Sequence, residues 1–400
     1  MRRRSPLAFA ALIPLIPLIA PALAAAAPPP PVSPATLDTV LEALARDVTQ
    51  GRDNLTPGNA LARSALVDFL VGQDVDPGGD GAGFVQVFAE GSNIIAVHHP
   101  PGTAGQGPRV LLGAHYDHLG YDCTPRPEAA SAVCNGASDN AGGVAAALGA
   151  LEALAGSVRY PVAVALWDAE EDGKLGSQFF AANPSIDLSQ LRLYINLDIV
   201  GSNLFRGGEE LHFAVGAETG GPDLVADVAA SAEGLPLTLG QVSFVFGMAR
   251  SDSDSFVFGG YDVPIVFFGD SDGSIYHSTA DELVYLNTAK VEAVANAAAR
   301  LAEVAADRPD PYPWVDPLRD GILPIYSDVQ PVLSAWRMLL RHARDNELSA
   351  EDTVRLTHMA QVLQRMVDDG PEAFGAKDAL RLVDIATWGT DLSRSLPFVP

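Results

Sequence analysis

The chain has 400 residues, 48% of them apolar, enough to bury a large core and too many for one minimal domain. Lys and Arg number 25 against 50 Asp and Glu, a formal charge of −25. That imbalance argues against nucleic acid or an anionic membrane surface as a partner, because both are bound through basic patches.

In chain order, residues 1–24 have the form of an export signal: Arg2, Arg3 and Arg4, an apolar stretch over 7–19, and the A-x-A-like site Ala22-Leu23-Ala24. The apolar stretch is short and broken by Pro14, Pro17 and Pro21, which speaks against a membrane anchor. The expectation is a periplasmic or extracellular protein with no anchor in its mature form. Its charge would be more negative by the three lost arginines (−25 − 3 = −28). Residues 25–34 form a Pro-rich spacer. Cys123 and Cys134 are the two cysteines, and in an exported protein such neighbours pair as a disulfide.

Periodicity predicts helices over 36–48 and 60–71, the second after the Thr56-Pro57 start signal. A turn cluster over 78–83 precedes a strand pair at 84–89 and 93–98. Residues 109–114 read as a buried strand, followed by a helix over 141–155 and strands over 162–167, 191–197 and 210–215. A helix over 222–232, a strand over 262–268 and a helix over 289–306 complete the series. Strands alternating with helices predict an α/β fold of three layers, α/β/α, around a mostly parallel mixed sheet over 35–306. From 307 to 400 a Pro-punctuated linker leads to three amphipathic helices at 329–343, 350–367 and 377–387, an all-helical extension.

The chemistry gathers at the strand ends, where ligands of such folds bind. The stretch 135–143, NGASDNAGG, sets Asp139 where a loop turns into a helix. An acid there can serve as a cap, but its company points to metal. His115 and Asp117 lie two apart at a strand end, His115 as a ligand and Asp117 as the acid that orients its imidazole. Glu170-Glu171 follows the strand at 162–167; one carboxylate would bind metal, the other take a proton from water. Asp198 ends the next strand, and Tyr276-His277 supplies a second imidazole. Carboxylates and imidazoles without thiolate suit a hydrolytic zinc site with open positions.

These segments resemble the five signature segments of the zinc-dependent M28 peptidases, the co-catalytic aminopeptidases of the bacterial secreted type. They are His115-x-Asp117, Ser138-Asp139-Asn140 with Gly142-Gly143, Glu170-Glu171-x-Gly173 with Gly176-Ser177, Asn196-x-Asp198, and Tyr276-His277. The resemblance runs in order from Leu37 to Ala305. It implies the zinc-exopeptidase fold and two Zn2+ bridged by Asp139. His115 and Asp198 would complete one site, Glu171 and His277 the other, and Glu170 would be the general base. It also implies a cis peptide at Asp139–Asn140, and Tyr276 is a candidate donor to the oxyanion. The expected substrate is a peptide, hydrolysed at its amino terminus. The run 250–256 departs from the pattern, with Ser253 where His is usual. Three alternatives remain at this point. They are a single-zinc glutaminyl-cyclase-like acyltransferase, an M20-like carboxypeptidase or deacylase, and a non-catalytic binding ectodomain.

Overall fold

Ser33 opens the first helix: its side chain accepts from the Thr36 N–H, and Pro34 sits where a missing N–H leaves nothing unpaired. A computed structural model describes residues 29–319 and 323–398, so the expected leader and the first part of the spacer lie outside the described residues. The elements up to the centre of the fold are α1 (Pro34–Leu44), α2 (Pro57–Val71), β1 (Asp76–Pro77), β2 (Val85–Phe88), β3 (Gly91–His98), β4 (Val110–His115), α3 (Gly143–Leu154), β5 (Val162–Trp167), α4 (Leu175–Ala182) and β6 (Leu193–Leu197). There follow β7 (Leu211–Val215), α5 (Gly221–Ser231), β8 (Thr238–Val242), α6 (Ser253–Phe258), β9 (Ile265–Gly269), α7 (Thr288–Asp307), α8 (Val329–Arg341), α9 (Ala350–Asp369) and α10 (Ala376–Ser395).

The strands form one mixed sheet in the order β1-β3-β5-β4-β6-β9-β7-β8, with β2 paired on β3. Its centre, β5-β4-β6-β9, is parallel, as the alternation with helices predicts; β3 on one side and β7 on the other run antiparallel to it. Period-2 alternation distributes side chains between the two faces. Val162, Val164 and Leu166 of β5 join the core under α1, α3 and α7, while Ala163, Ala165 and Trp167 join the core under α4 and α6. The result is the three-layer fold that the sequence predicts.

Four elements escape the sequence reading: β1, α4, β8 and α6, of two, eight, five and six residues. Each is too short to show a period against its polar flanks. The last helix runs to Ser395 rather than stopping near Thr387. Helices α8, α9 and α10 share their own core around Leu333, Leu339, Leu363 and Leu382, which also takes in Leu204 and Phe205 before β7 and Leu211 at its start. No helix among the described residues is long and apolar enough to cross a membrane.

Candidate active site

Parallel strands put their carboxyl ends on one edge, and four of the segments singled out above leave from there. His115 is the last residue of β4 and pairs in register with Trp167, the last of β5. Glu170 and Glu171 follow β5, Asp198 follows β6, and the loop after β9 carries Tyr276 and His277. Asp139 lies in a tight turn over Ala137–Gly142 that enters α3, and the Asp139–Asn140 peptide is cis. Cys123 and Cys134 are bonded, closing the loop between His115 and Asp139.

The side chains converge. His115 Nε2 lies 3.2 Å from Asp139 Oδ1 and 3.1 Å from Asp198 Oδ1. His277 Nε2 lies 3.2 Å from Asp139 Oδ2 and 3.2 Å from Glu171 Oε2. Asp139 therefore offers one oxygen to each histidine. Donors about 2.0–2.1 Å from a tetrahedral zinc stand about 3.3 Å apart, so each of these four imidazole–carboxylate separations fits the spacing of a zinc coordination sphere. Asp117 lies 3.5 Å from His115 Nδ1, and its two oxygens also accept the Glu170 and Glu171 N–H groups.

Three further residues complete the scaffold. His118 Nδ1 stands 2.7 Å from Glu171 Oε1. His118, Asp139 and Glu171 are also close enough to be grouped as a metal set. A separation of 2.7 Å is that of a hydrogen bond, shorter than two donors on one ion, so the geometry favours His277 as the ligand and His118 as its support. The signal for His118 was present, a second imidazole in the run 115–118. Asp281 accepts from Ser138 N, Ser138 Oγ and Asp139 N, fixing the turn that aims Asp139. Arg52 is fully buried beneath it and donates to the carbonyls of Leu44, Tyr116, Asn135 and Gly136. Neither Asp281 nor Arg52 carries a local sequence signal, since their partners lie 83 to 143 positions away except for Leu44 and Tyr116.

Backbone strain gathers here too. Ala169, Ile199 and His277 have positive φ (56°, 55° and 48°), at or beside Glu170, Asp198 and the second imidazole. Such conformations cost about 1–3 kcal/mol each and persist where the surroundings enforce them.

The electrostatics separate the adjacent glutamates. Burial pushes Glu170 well above the usual carboxylate range, against the pull of His115, with Asp252, Asp198 and Glu171 adding to the rise. Burial and Asp139 also push Glu171 upward, but its hydrogen bonds with His118 and His277 prevail and hold it at about 2. Two carboxyl groups driven apart in this way suit separate acid–base and ligand tasks. Burial opposes the charged form of His277, yet Asp139 and Glu171 raise it to about 10. The cluster is thus rich in negative charge that a cation would balance. Asp252 is fully buried, neither of its oxygens has a hydrogen-bond partner, and burial pushes it up to about 7.

Tyr276 lines the cavity beside the cluster, its ring stacked on that of His277 at 3.8 Å. Ser253 is buried at the start of α6; the neighbouring stretch that reaches the cavity is Met248-Ala249-Arg250.

Residues 93–302 match the family model for peptidase family M28. Among solved structures, the chain is similar to the LapA aminopeptidase of Legionella pneumophila, at 15% identity and a TM-score of 0.55, covering 70% of this chain and 71% of that one. A Zn-dependent exopeptidase from Parabacteroides distasonis gives 21% identity and a TM-score of 0.52, covering 70% and 99%. A glutaminyl cyclase from Porphyromonas gingivalis gives 20% identity and 0.50, covering 68% and 97%. These likenesses establish the fold. No curated protein matches the sequence.

Proposed function

Because that match spans more than half of the chain, the protein belongs to peptidase family M28, and on this premise we propose that it is a di-zinc aminopeptidase, exported from the cell, that removes N-terminal residues from peptides. A zinc-dependent peptidase acting on a peptide follows from the family; the finer reading rests on the cluster. One observation carries it: the two oxygens of Asp139 each lie 3.2 Å from a different imidazole nitrogen. His115 and Asp198 would hold one ion, Glu171 and His277 the other, and Asp139 both.

Zinc, when bound, supplies a Lewis acid that lowers the pKa of water to about 7 and polarises a carbonyl. Glu170 takes the proton of the attacking water and hands it to the leaving amide nitrogen as the C–O bond forms and the C–N bond breaks. Asp117, by holding the N–H groups of both glutamates, keeps base and ligand in fixed relation. Tyr276 is assigned the donor to the oxyanion. Residues 35–306 are taken as the catalytic unit and 307–400 as its extension. The single-zinc cyclase reading has no use for His115 and Asp198 as a second metal site beside Asp139, which favours hydrolysis.

The experiment compares Leu-4-nitroanilide and two peptides, one blocked at the amino end and one at the carboxyl end. Hydrolysis is expected of the anilide and the carboxyl-blocked peptide, abolished by chelator and restored by about two equivalents of zinc. Glu170→Gln should retain zinc while losing about 10²–10⁴-fold in kcat. Full activity of that variant would remove Glu170 as the base, and cleavage of the amino-blocked peptide alone would remove the aminopeptidase assignment.

A further inference from the structure

The cavity lined by the candidate metal ligands does not end within the family match. It measures about 820 Å³, in the upper part of the range of about 300–1,000 Å³ typical of ligand sites. One end is bounded by His115, Asp139 and Glu170, the other by α8 and α10. On α10 the lining residues include Leu380, Val383, Thr387, Thr390 and Arg394, spaced by three and four positions and therefore on one helical face. A different stripe, Ala379, Leu382, Ile385, Gly389 and Leu392, is buried in the bundle. Gly389 is required there, because a Cβ would collide with the Trp336 indole.

Helix α10 therefore presents a second face that the bundle core does not use, apolar at Leu380 and Val383 and polar at Thr387, Thr390 and Arg394. Leu380 and Val383, on the stripe that faces the cavity, are 57% and 37% exposed. The same cavity is lined by Phe213, Val242 and Phe267 of the sheet and by Phe246 in the turn after β8, which pack as one apolar cluster. The end of α10 is fastened to the catalytic loop: Arg394 pairs with Asp272, Ser393 Oγ donates to the Asp272 carbonyl at 3.0 Å, and the Arg394 guanidinium lies 5.6 Å from the Tyr276 ring centre.

We propose that the C-terminal bundle is the specificity wall of the active site, and that the substrates are peptides with large apolar residues in their first two or three positions. This rests on the peptidase reading above, because Leu380, Val383 and the sheet-side aromatics line the same cavity as the candidate metal ligands. The volume exceeds any single side chain, so the bundle accepts residues beyond the one released.

The test measures kcat/KM for Phe-Leu-Phe-amide relative to Ala-Ala-Ala-amide. In the double variant Leu380→Asn, Val383→Asn this ratio should fall at least about tenfold, mainly through KM, as expected when an apolar pocket loses its lining. Thr387→Trp, which fills the same space, should lower it as well. Val354→Asn on α9, 70% exposed and away from the cavity, should leave it unchanged. As a readout independent of turnover, Thr387→Cys is combined with Glu170→Gln and labelled with a maleimide. Phe-Leu-Phe-amide should slow labelling about fivefold or more, Ala-Ala-Ala-amide much less. An unaltered ratio in folded variants, or labelling equally fast with and without the apolar peptide, overturns the proposal. If the wild type hydrolyses neither peptide, the peptidase reading fails and the labelling alone decides the wall.

Discussion

The strand-end cluster and the C-terminal bundle face each other across one cavity but are held together by different physics. In the cluster, His115, Asp117, His118, Asp139 and Asp198 are almost fully buried polar groups, each kept in place by partners distant in the chain. Charges so placed are costly unless every one is paired, so losing one partner exposes the full penalty of the others. The bundle relies on Leu333, Leu339, Leu363 and their neighbours, where stability is the sum of many similar burials. The first region is brittle and chemical; the second is tolerant and shapes space.

The largest effect expected outside the catalytic groups is at Arg52. Its guanidinium donates to four backbone carbonyls, three of them bounding the His115–Asp139 segments. Burial lowers its pKa to about 10, while Asp281, Asp117, Asp139 and Glu171 support its charge. Arg52→Met should destabilise the protein by about 3–5 kcal/mol, since it leaves buried acceptors unpaired and nearby carboxylates without their counter-charge. Urea unfolding measures this; a loss below about 1 kcal/mol would mean that the cluster is less brittle than argued.

Leu363→Ala is the matching probe of the bundle. Leu363 is fully buried on α9 and faces no catalytic group. A loss of about 2–4 kcal/mol is expected from lost burial and the cavity left behind. At temperatures where the variant stays folded, kcat on Ala-4-nitroanilide should remain within about twofold of the parent. A larger fall would tie the interior of the bundle to the chemistry and erase the contrast between the regions.

How legible each region was in the sequence follows the same division. The central strands were legible because each apolar run is short, β-rich and followed by polar residues, and the candidate ligands sit at or just after the ends of those runs. The run Val110–His115 and the residues after Trp167 show this directly. Of what supports these residues, Asp117 was legible from its place two positions after His115, whereas Arg52 and Asp281 were not, because they act on residues far along the chain and have no periodic signature. Helix α10 was readable as amphipathic, yet its second face was not: that Leu380 and Val383 meet the cavity while Leu382 and Ile385 meet the bundle is decided only by packing.

The smallest expected effect lies at the seam between the regions. Glu218, after β7, accepts the Phe244 N–H at 2.6 Å, and Asp328, at the start of α8, accepts the neighbouring Ser243 N–H at 2.7 Å. Burial pushes Glu218 up to about 7 from an ordinary value of 4.5, with nearby Asp328 adding to the rise. The folded state therefore holds a proton that the unfolded chain has released between those two values. By linkage, this stabilisation is complete below about pH 4.5, declines as pH rises, and is lost above about 7. A shift of this size corresponds to about 3 kcal/mol at most, and relaxation at a partly open site will reduce it. Glu218→Gln keeps an oxygen for the Phe244 N–H and removes the charge. It should leave stability at pH 4 unchanged and raise it by about 1–2 kcal/mol at pH 8. Because both proteins share every other titrating group, the difference between their unfolding midpoints isolates this one carboxyl. A gain that is the same at both pH values would show that the glutamate does not change charge there, leaving the seam governed by packing alone.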